Sequence, residues 1–138
     1  MPDKPAKFEA MDQYLDAWQR HDPAAVRACF AAEGKYFNPA VPQGISGEAI
    51  EEMVAFSLAG FSDLQFEILS AQQTDSNHGF VQWIMRGTND GPPAPDVEPT
   101  GKKIHLPGCN VFAFEGTGIQ RCDVYFDQMT YMNQLGLI

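Results

Sequence analysis

Partway along this chain the spacing of apolar residues changes period, and that change constrains the fold more than any other feature. Phe8, Met11, Leu15 and Trp18 recur at alternating three- and four-residue steps, one stripe of a helix expected from about Lys4 to Arg20, with Tyr14 beside it. In DPAAVRACF, Asp22 is placed to cap a short second helix that has Pro23 at its first position. KYFN is expected to be extended, because the residue before Pro39 is pushed out of the helical region. Ser46 is expected to cap a third helix whose Ile50, Met53 and Val54 face inward and which stops near Gly60. Beyond Gly60 the period falls to about two residues. LQFEIL, FVQWIMRG, KIHLPGCNVFAF and IQRCDVYF read as four strands, with turns at DSNHG and EGTG that favour antiparallel hairpins. The connection TNDGPPAPDVEPTG, rich in Pro and Gly, is expected to be an ordered flap over one end of the sheet.

Helices first and antiparallel strands afterwards make an α+β fold. It is expected to be a cone-shaped barrel, a strongly curved and mainly antiparallel sheet wrapped around the N-terminal helices and enclosing an apolar pocket. The 138 residues show no internal repeat and no domain boundary, so residues 1–138 are expected to form one domain.

Charge narrows the partners. A net charge of −9 without a compensating basic cluster disfavours nucleic acid and anionic membrane surfaces. The N-terminus lacks the apolar core of a signal peptide, and no apolar run approaches the roughly 20 residues needed to cross a bilayer, so a cytoplasmic location is expected. Cys29, Cys109 and Cys122 are scattered as buried thiols would be in a reducing compartment, and the three His lack ligand spacing, so no metal is expected.

The segments PTGKK, FAFEGTGI and VYFDQMTYMNQLG, the last with Asp127 followed closely by Gln134, Leu135 and Gly136, resemble the SnoaL-like polyketide cyclase branch of the nuclear transport factor 2-like superfamily. The likeness runs from YLDAWQRHD to the C-terminus and includes the ketosteroid isomerases in the first half. Those isomerases use a helix Tyr as oxyanion donor, an Asp before a Pro as base and a second acid on a later strand. Carried over, these positions are Tyr14, Asn38 and Asn110, so the phenol is retained and both acids are amides. SnoaL cyclases place an Asn at the first strand, matching Asn38, a His on the penultimate strand and a catalytic Asp on the last. Here the latter two are Asn110 and Val124, and limonene epoxide hydrolases also need an acid where Val124 stands.

Strand alternation extends the candidate pocket. If Asn110 faces inward, so do Leu106, Gly108 and Phe112, with Cys122, Val124 and Phe126 on the last strand. Trp83 and Met85 are expected on the same face, and Trp18 and Phe56 complete an apolar lining. Tyr14 and Asn110 can both donate to one carbonyl oxygen, but neither Asn38 nor Asn110 can take up a proton near neutral pH. Asn38 either faces the pocket or shapes the turn at Pro39, and a buried Asn110 needs a polar partner. Asp123 should face outward with Arg121 and Tyr125 unless a bulge turns it in, Asp127 should cap the last helix, and His105 has the parity of the outer face.

The resemblance then implies a cyclase- or isomerase-type enzyme that acts without a cofactor on a small hydrophobic carbonyl compound. The missing acids also suit a hydrophobic-ligand-binding module, and a dimeric interaction domain is a third reading. The outer sheet face, with Val111, Tyr125 and His105, is expected to be covered in a homodimer.

Overall fold

A computed structural model describes residues 6–74 and 77–138, with side chains from Glu9 onward. The helix start at Lys4, the side chain of Phe8, and Asp75 and Ser76 of the DSNHG turn lie outside the described residues. In chain order the elements are α1 (Ala6–Gln19), α2 (Pro23–Ala28), β1 (Phe30–Asn38), β2 (Val41–Ser46), α3 (Glu48–Gly60), β3 (Gln65–Gln73), β4 (His78–Thr88), β5 (Lys103–Glu115), β6 (Gly118–Phe126) and α4 (Gln128–Gln134). The architecture is α+β, with one curved six-stranded sheet in the order β2-β1-β6-β5-β4-β3. Only β1 and β6 pair in parallel; every other neighbouring pair is antiparallel. The sheet ends at β2 and β3 without joining them, so the expected barrel is an open cone.

Helical spacing explains how α1 meets this sheet. Ala10, Met11, Tyr14, Ala17 and Trp18 form one buried stripe, so Tyr14 lies within the packed face and not beside it. The helix touches β3, β5 and β6. At the start of α2, the Asp22 carboxylate accepts from the Ala25 amide at 3.1 Å, as expected of an N-cap before Pro23.

The entry to α3 differs from expectation. Ser46 does not cap it, because its backbone is the last of β2 and pairs with Lys35. Gly47, at φ 59°, takes the N-cap position, a left-handed conformation that glycine adopts without steric cost. The strand VPQGIS was hidden in sequence by Pro42 and Gly44, both tolerated because β2 is an edge strand. Ile50 and Val54 of α3 are fully buried.

The flap from Thr88 to Gly101 is held by Asn89, one of two buried polar residues among those described. Its Nδ2 donates to the carbonyls of Gly60 at 3.0 Å and Gly91 at 2.9 Å, while its Oδ1 accepts from the Thr100 amide at 2.7 Å. Backbone bonds from Asn89 to Lys102 and from Gly101 back to Asn89 close the loop at its base. Asp90 adds a clamp on Ser62, accepting from its amide at 3.0 Å and from its hydroxyl. With its polar groups satisfied in this way, a loop without internal ladders is fixed against the end of α3.

Candidate active site

The inner face of β5 carries Ile104, Leu106, Gly108, Asn110 and Phe112, and pairing brings Met85, Trp83 and Val81 of β4 opposite Leu106, Gly108 and Asn110. On the other side, Phe126, Val124 and Cys122 of β6 stand opposite Gly108, Asn110 and Phe112. Helix α3 contributes Ala49, Glu52, Met53, Phe56, Ser57 and Gly60, one stripe at three- and four-residue spacing. Between this stripe, α1 and the sheet lies a cavity of about 580 Å³. Pro92, Pro93 and Pro95 of the flap and Tyr131 of α4 also border it.

Trp18, Phe56, Trp83, Met85, Leu106, Val124 and Phe126 line the cavity, as do Tyr14, Asn38 and Asn110. Phe112 and Cys122 do not. They share the inward parity of their strands but lie fully buried behind the wall. The Tyr14 ring covers Phe112 edge-on at 5.2 Å, and the Cys122 sulfur sits against the Asn110 amide.

The deep polar groups form one connected line. Trp83 Nε1 donates to Asn110 Oδ1 at 2.8 Å, and Asn110 Nδ2 donates to Tyr14 Oη at 3.3 Å and to Cys122 Sγ at 3.6 Å. Gly108 makes this possible: a Cβ there would stand 2.3 Å from the Trp83 ring, so only a glycine lets the indole lie across β5 and reach Asn110. Asn110 therefore spends both amide hydrogens inside the protein, and the expected direct donation from it to a guest is not the geometry found. Because Tyr14 Oη accepts from Asn110, its own O–H is the donor left for the cavity.

A second polar cluster sits on β1. Asn38 Oδ1 accepts from the amides of Ala40 at 2.7 Å and Val41 at 3.0 Å, closing the turn into β2, while its Nδ2 donates to Tyr36 Oη at 3.2 Å. The amide serves turn and cavity together. Tyr36, which was not among the residues expected in the pocket, is buried and lines the cavity. Its signal was parity, since it stands two residues before Asn38 on the same strand.

Burial governs the ionisable groups of this interior. It holds the Tyr14 phenol well above its ordinary range, with the neighbouring Cys122 and Tyr36 adding to the shift and Trp18 opposing it. Tyr36 and the Cys122 thiol are raised by the same desolvation. All three stay protonated at neutral pH.

The carboxylates lie elsewhere. Asp123 faces outward, bound by Arg121 at 2.8 and 3.1 Å, and its register opposite Val111 carries no bulge. The Arg121 guanidinium in turn lies 4.0 Å over the Phe37 ring. Asp127 occupies the N-cap position of α4 and accepts from Thr130 Oγ1 at 2.6 Å, which holds its carboxyl below the usual range. His105 is exposed on the outer face, its backbone tied to Gln134 at 2.8 and 2.9 Å. The carboxylate that does border the cavity is Glu52, exposed at its mouth. Among the described residues no three His, Cys, Asp or Glu gather to hold a metal ion, and no helix is long and apolar enough to cross a membrane.

Residues 11–122 match the model of the SnoaL-like domain. The chain belongs to the SnoaL-like family. Solved structures agree on the fold. A candidate SnoaL-like polyketide cyclase from a Jannaschia species is 18% identical, with 100% of this chain and 99% of that one covered and a TM-score of 0.79. IdmH from Streptomyces antibioticus, a candidate polyketide cyclase, is 19% identical over 94% of this chain and 98% of its own, with a TM-score of 0.77. A protein of ketosteroid isomerase-like fold from Catenulispora acidiphila, in complex with trimethylamine, is 22% identical over 94% of each chain, at 0.77. No curated protein matches the sequence.

Within this SnoaL-like domain the raised phenols give a pH dependence. A phenol raised in the folded state contributes stability that is fully present below the unfolded pKa of about 10 and is lost as pH rises through the folded value. In an alkaline titration followed at 295 nm, Tyr14 and Tyr36 should ionise only as the far-ultraviolet circular dichroism collapses. Ionisation of all four tyrosines near pH 10 with the fold intact would contradict the burial assigned to them.

Proposed function

We propose that this SnoaL-like protein is a cyclase- or isomerase-type enzyme that acts without a cofactor on a small hydrophobic carbonyl compound. The observation that carries this is Tyr14, which lines an apolar cavity and whose hydroxyl is held by Asn110, itself oriented by Trp83. A carbonyl oxygen placed against that hydroxyl gains negative charge as the reaction proceeds, and a preorganised donor in a dry site is worth about 2.7 to 4 kcal/mol to such an oxyanion. Asn110 is then a positioning residue, and Tyr14 touches the substrate. The Trp83 and Phe66 rings, edge-on at 5.1 Å, with Trp18 edge-on to Phe66 at 5.5 Å, supply an aromatic wall for a flat guest. The similarity to IdmH and to the Jannaschia protein supports polyketide-like substrates.

A second reading rests on the amides at positions 38 and 110: a module that binds the same class of guest and returns it unchanged. Incubation with a panel of aryl ketones and poly-β-ketone analogues separates the two, since an enzyme gives a cyclised or isomerised product and a binder does not. The cavity weighs against a pure interaction domain, whose interior would be filled.

The same proposal includes a two-fold homodimer through the outer sheet face. There Phe80 pairs with Val111 and Cys109 with Tyr125, and Phe80 and Tyr125 are 44% and 57% exposed. Sedimentation velocity at micromolar concentration should give a dimer that Tyr125→Lys with Val111→Lys turns into a monomer; a wild-type monomer removes this part of the proposal.

For the reaction itself, Tyr14→Phe should lower turnover of the identified substrate tenfold or more while leaving the fold intact. Unaltered turnover would remove Tyr14 from the mechanism.

A further inference from the structure

Among the described residues the cavity lining carries no Lys, Arg or His, and its one carboxylate is Glu52. The deep end offers donors of neutral character, Tyr14 and Tyr36, both raised by burial and protonated. The mouth therefore has a formal negative charge and the interior has none. Glu51, its neighbour, is already bound to Arg27 at 3.4 Å on another side of α3. Glu52 makes no hydrogen bond or ion pair with any described residue, and its position on the stripe with Ala49, Met53 and Phe56 sets it against the opening.

A guest that fills this space meets an unequal pair of ends. Its acceptor end is matched by the Tyr14 hydroxyl in an apolar surround. Its other end emerges beside an uncompensated carboxylate. A carboxylate or phosphate at that end would face like charge with no cation among the described lining residues to offset it, and one buried deeper would be desolvated without a partner. A hydroxyl or a protonated amine at that end gains a charge-assisted hydrogen bond.

Resting on the reading of the cavity as a carbonyl-compound site, we propose that Glu52 is a specificity-determining residue. It favours substrates with a hydrogen-bond-donating or cationic group at the end opposite their carbonyl over substrates that are carboxylates or phosphates. This disfavours thioesters whose phosphate-bearing arm would have to pass the mouth, and favours a free, neutral or amine-bearing intermediate.

The test uses three aryl ketones of one length whose far ends are a methyl group, an ammonium and a carboxylate. Binding is read by quenching of Trp18 and Trp83, which both line the cavity. In wild type at low salt the ammonium ketone should bind about threefold to fivefold more tightly than the methyl ketone, and the carboxylate ketone weaker by a similar factor, the scale expected of an exposed charge. Glu52→Gln should collapse the spread between the two charged ketones, each measured relative to the methyl ketone, and Glu52→Lys should invert their order. High salt should compress the wild-type spread. An equal spread in wild type and Glu52→Gln, or no spread in wild type, overturns the assignment of Glu52. Failure of the methyl ketone to bind wild type would instead overturn the carbonyl-site reading itself, and this inference with it.

Discussion

A buried amide held between an indole and a phenol organises this molecule. Asn110 is 4% exposed, and an amide in that position costs free energy unless its donors and acceptor are met. They are met by Trp83 from β4, Tyr14 from α1 and Cys122 from β6, so one side chain ties three elements together at the cavity floor. The bond to Trp83 needs the glycine at position 108, and the bond to Tyr14 needs α1 seated on the inner face with its stripe buried. Removing any of these would leave a polar group unpaired in an apolar interior. The same line holds the Tyr14 hydroxyl in place beside the cavity, so packing and the proposed chemistry depend on one arrangement.

On the proposed reading, a chamber built in this way acts through dipoles. The positions that the resemblance associates with acids hold Asn38, Asn110 and Val124, and each now has a physical occupation. Asn38 closes the turn into β2 and steadies Tyr36, Asn110 steadies Tyr14, and Val124 is a plain part of the wall. An aspartate at position 38 would keep the two backbone donors now bound to Asn38 Oδ1, and these would favour its charged form and weaken it as a base. The amide thus suits a site that orients and polarises a guest. The flap reinforces this, because Asn89 fixes three prolines at the mouth with little backbone freedom left to lose.

Much of the fold was legible because its signals are local. Alternation in FVQWIMRG and KIHLPGCNVFAF places β4 and β5 almost to the residue, and helical spacing places α1. The strand β2 was not legible, since Pro42 and Gly44 are breakers everywhere except at a sheet edge, and edge position is a tertiary property. The site was half legible for the same reason. Parity assigns Asn110, Val124 and Phe112 to one face, but only the seating of Tyr14 over Phe112 decides that Phe112 is core and Val124 is wall. Glu52 was within reach through its spacing from Met53 and Phe56, whereas Asn89 sits in a segment without periodicity, where burial leaves no trace in the sequence.

The account rests on the Tyr14 hydroxyl meeting the oxygen of a bound carbonyl compound. Isotope-edited infrared spectroscopy of a carbon-13-labelled aryl ketone in the cavity reads this directly. The account predicts a carbonyl stretch displaced to lower frequency in the wild-type protein and restored toward its value in apolar solvent in Tyr14→Phe. A bound ketone whose stretch is undisplaced in wild type, or equally displaced without the phenolic hydroxyl, would contradict it.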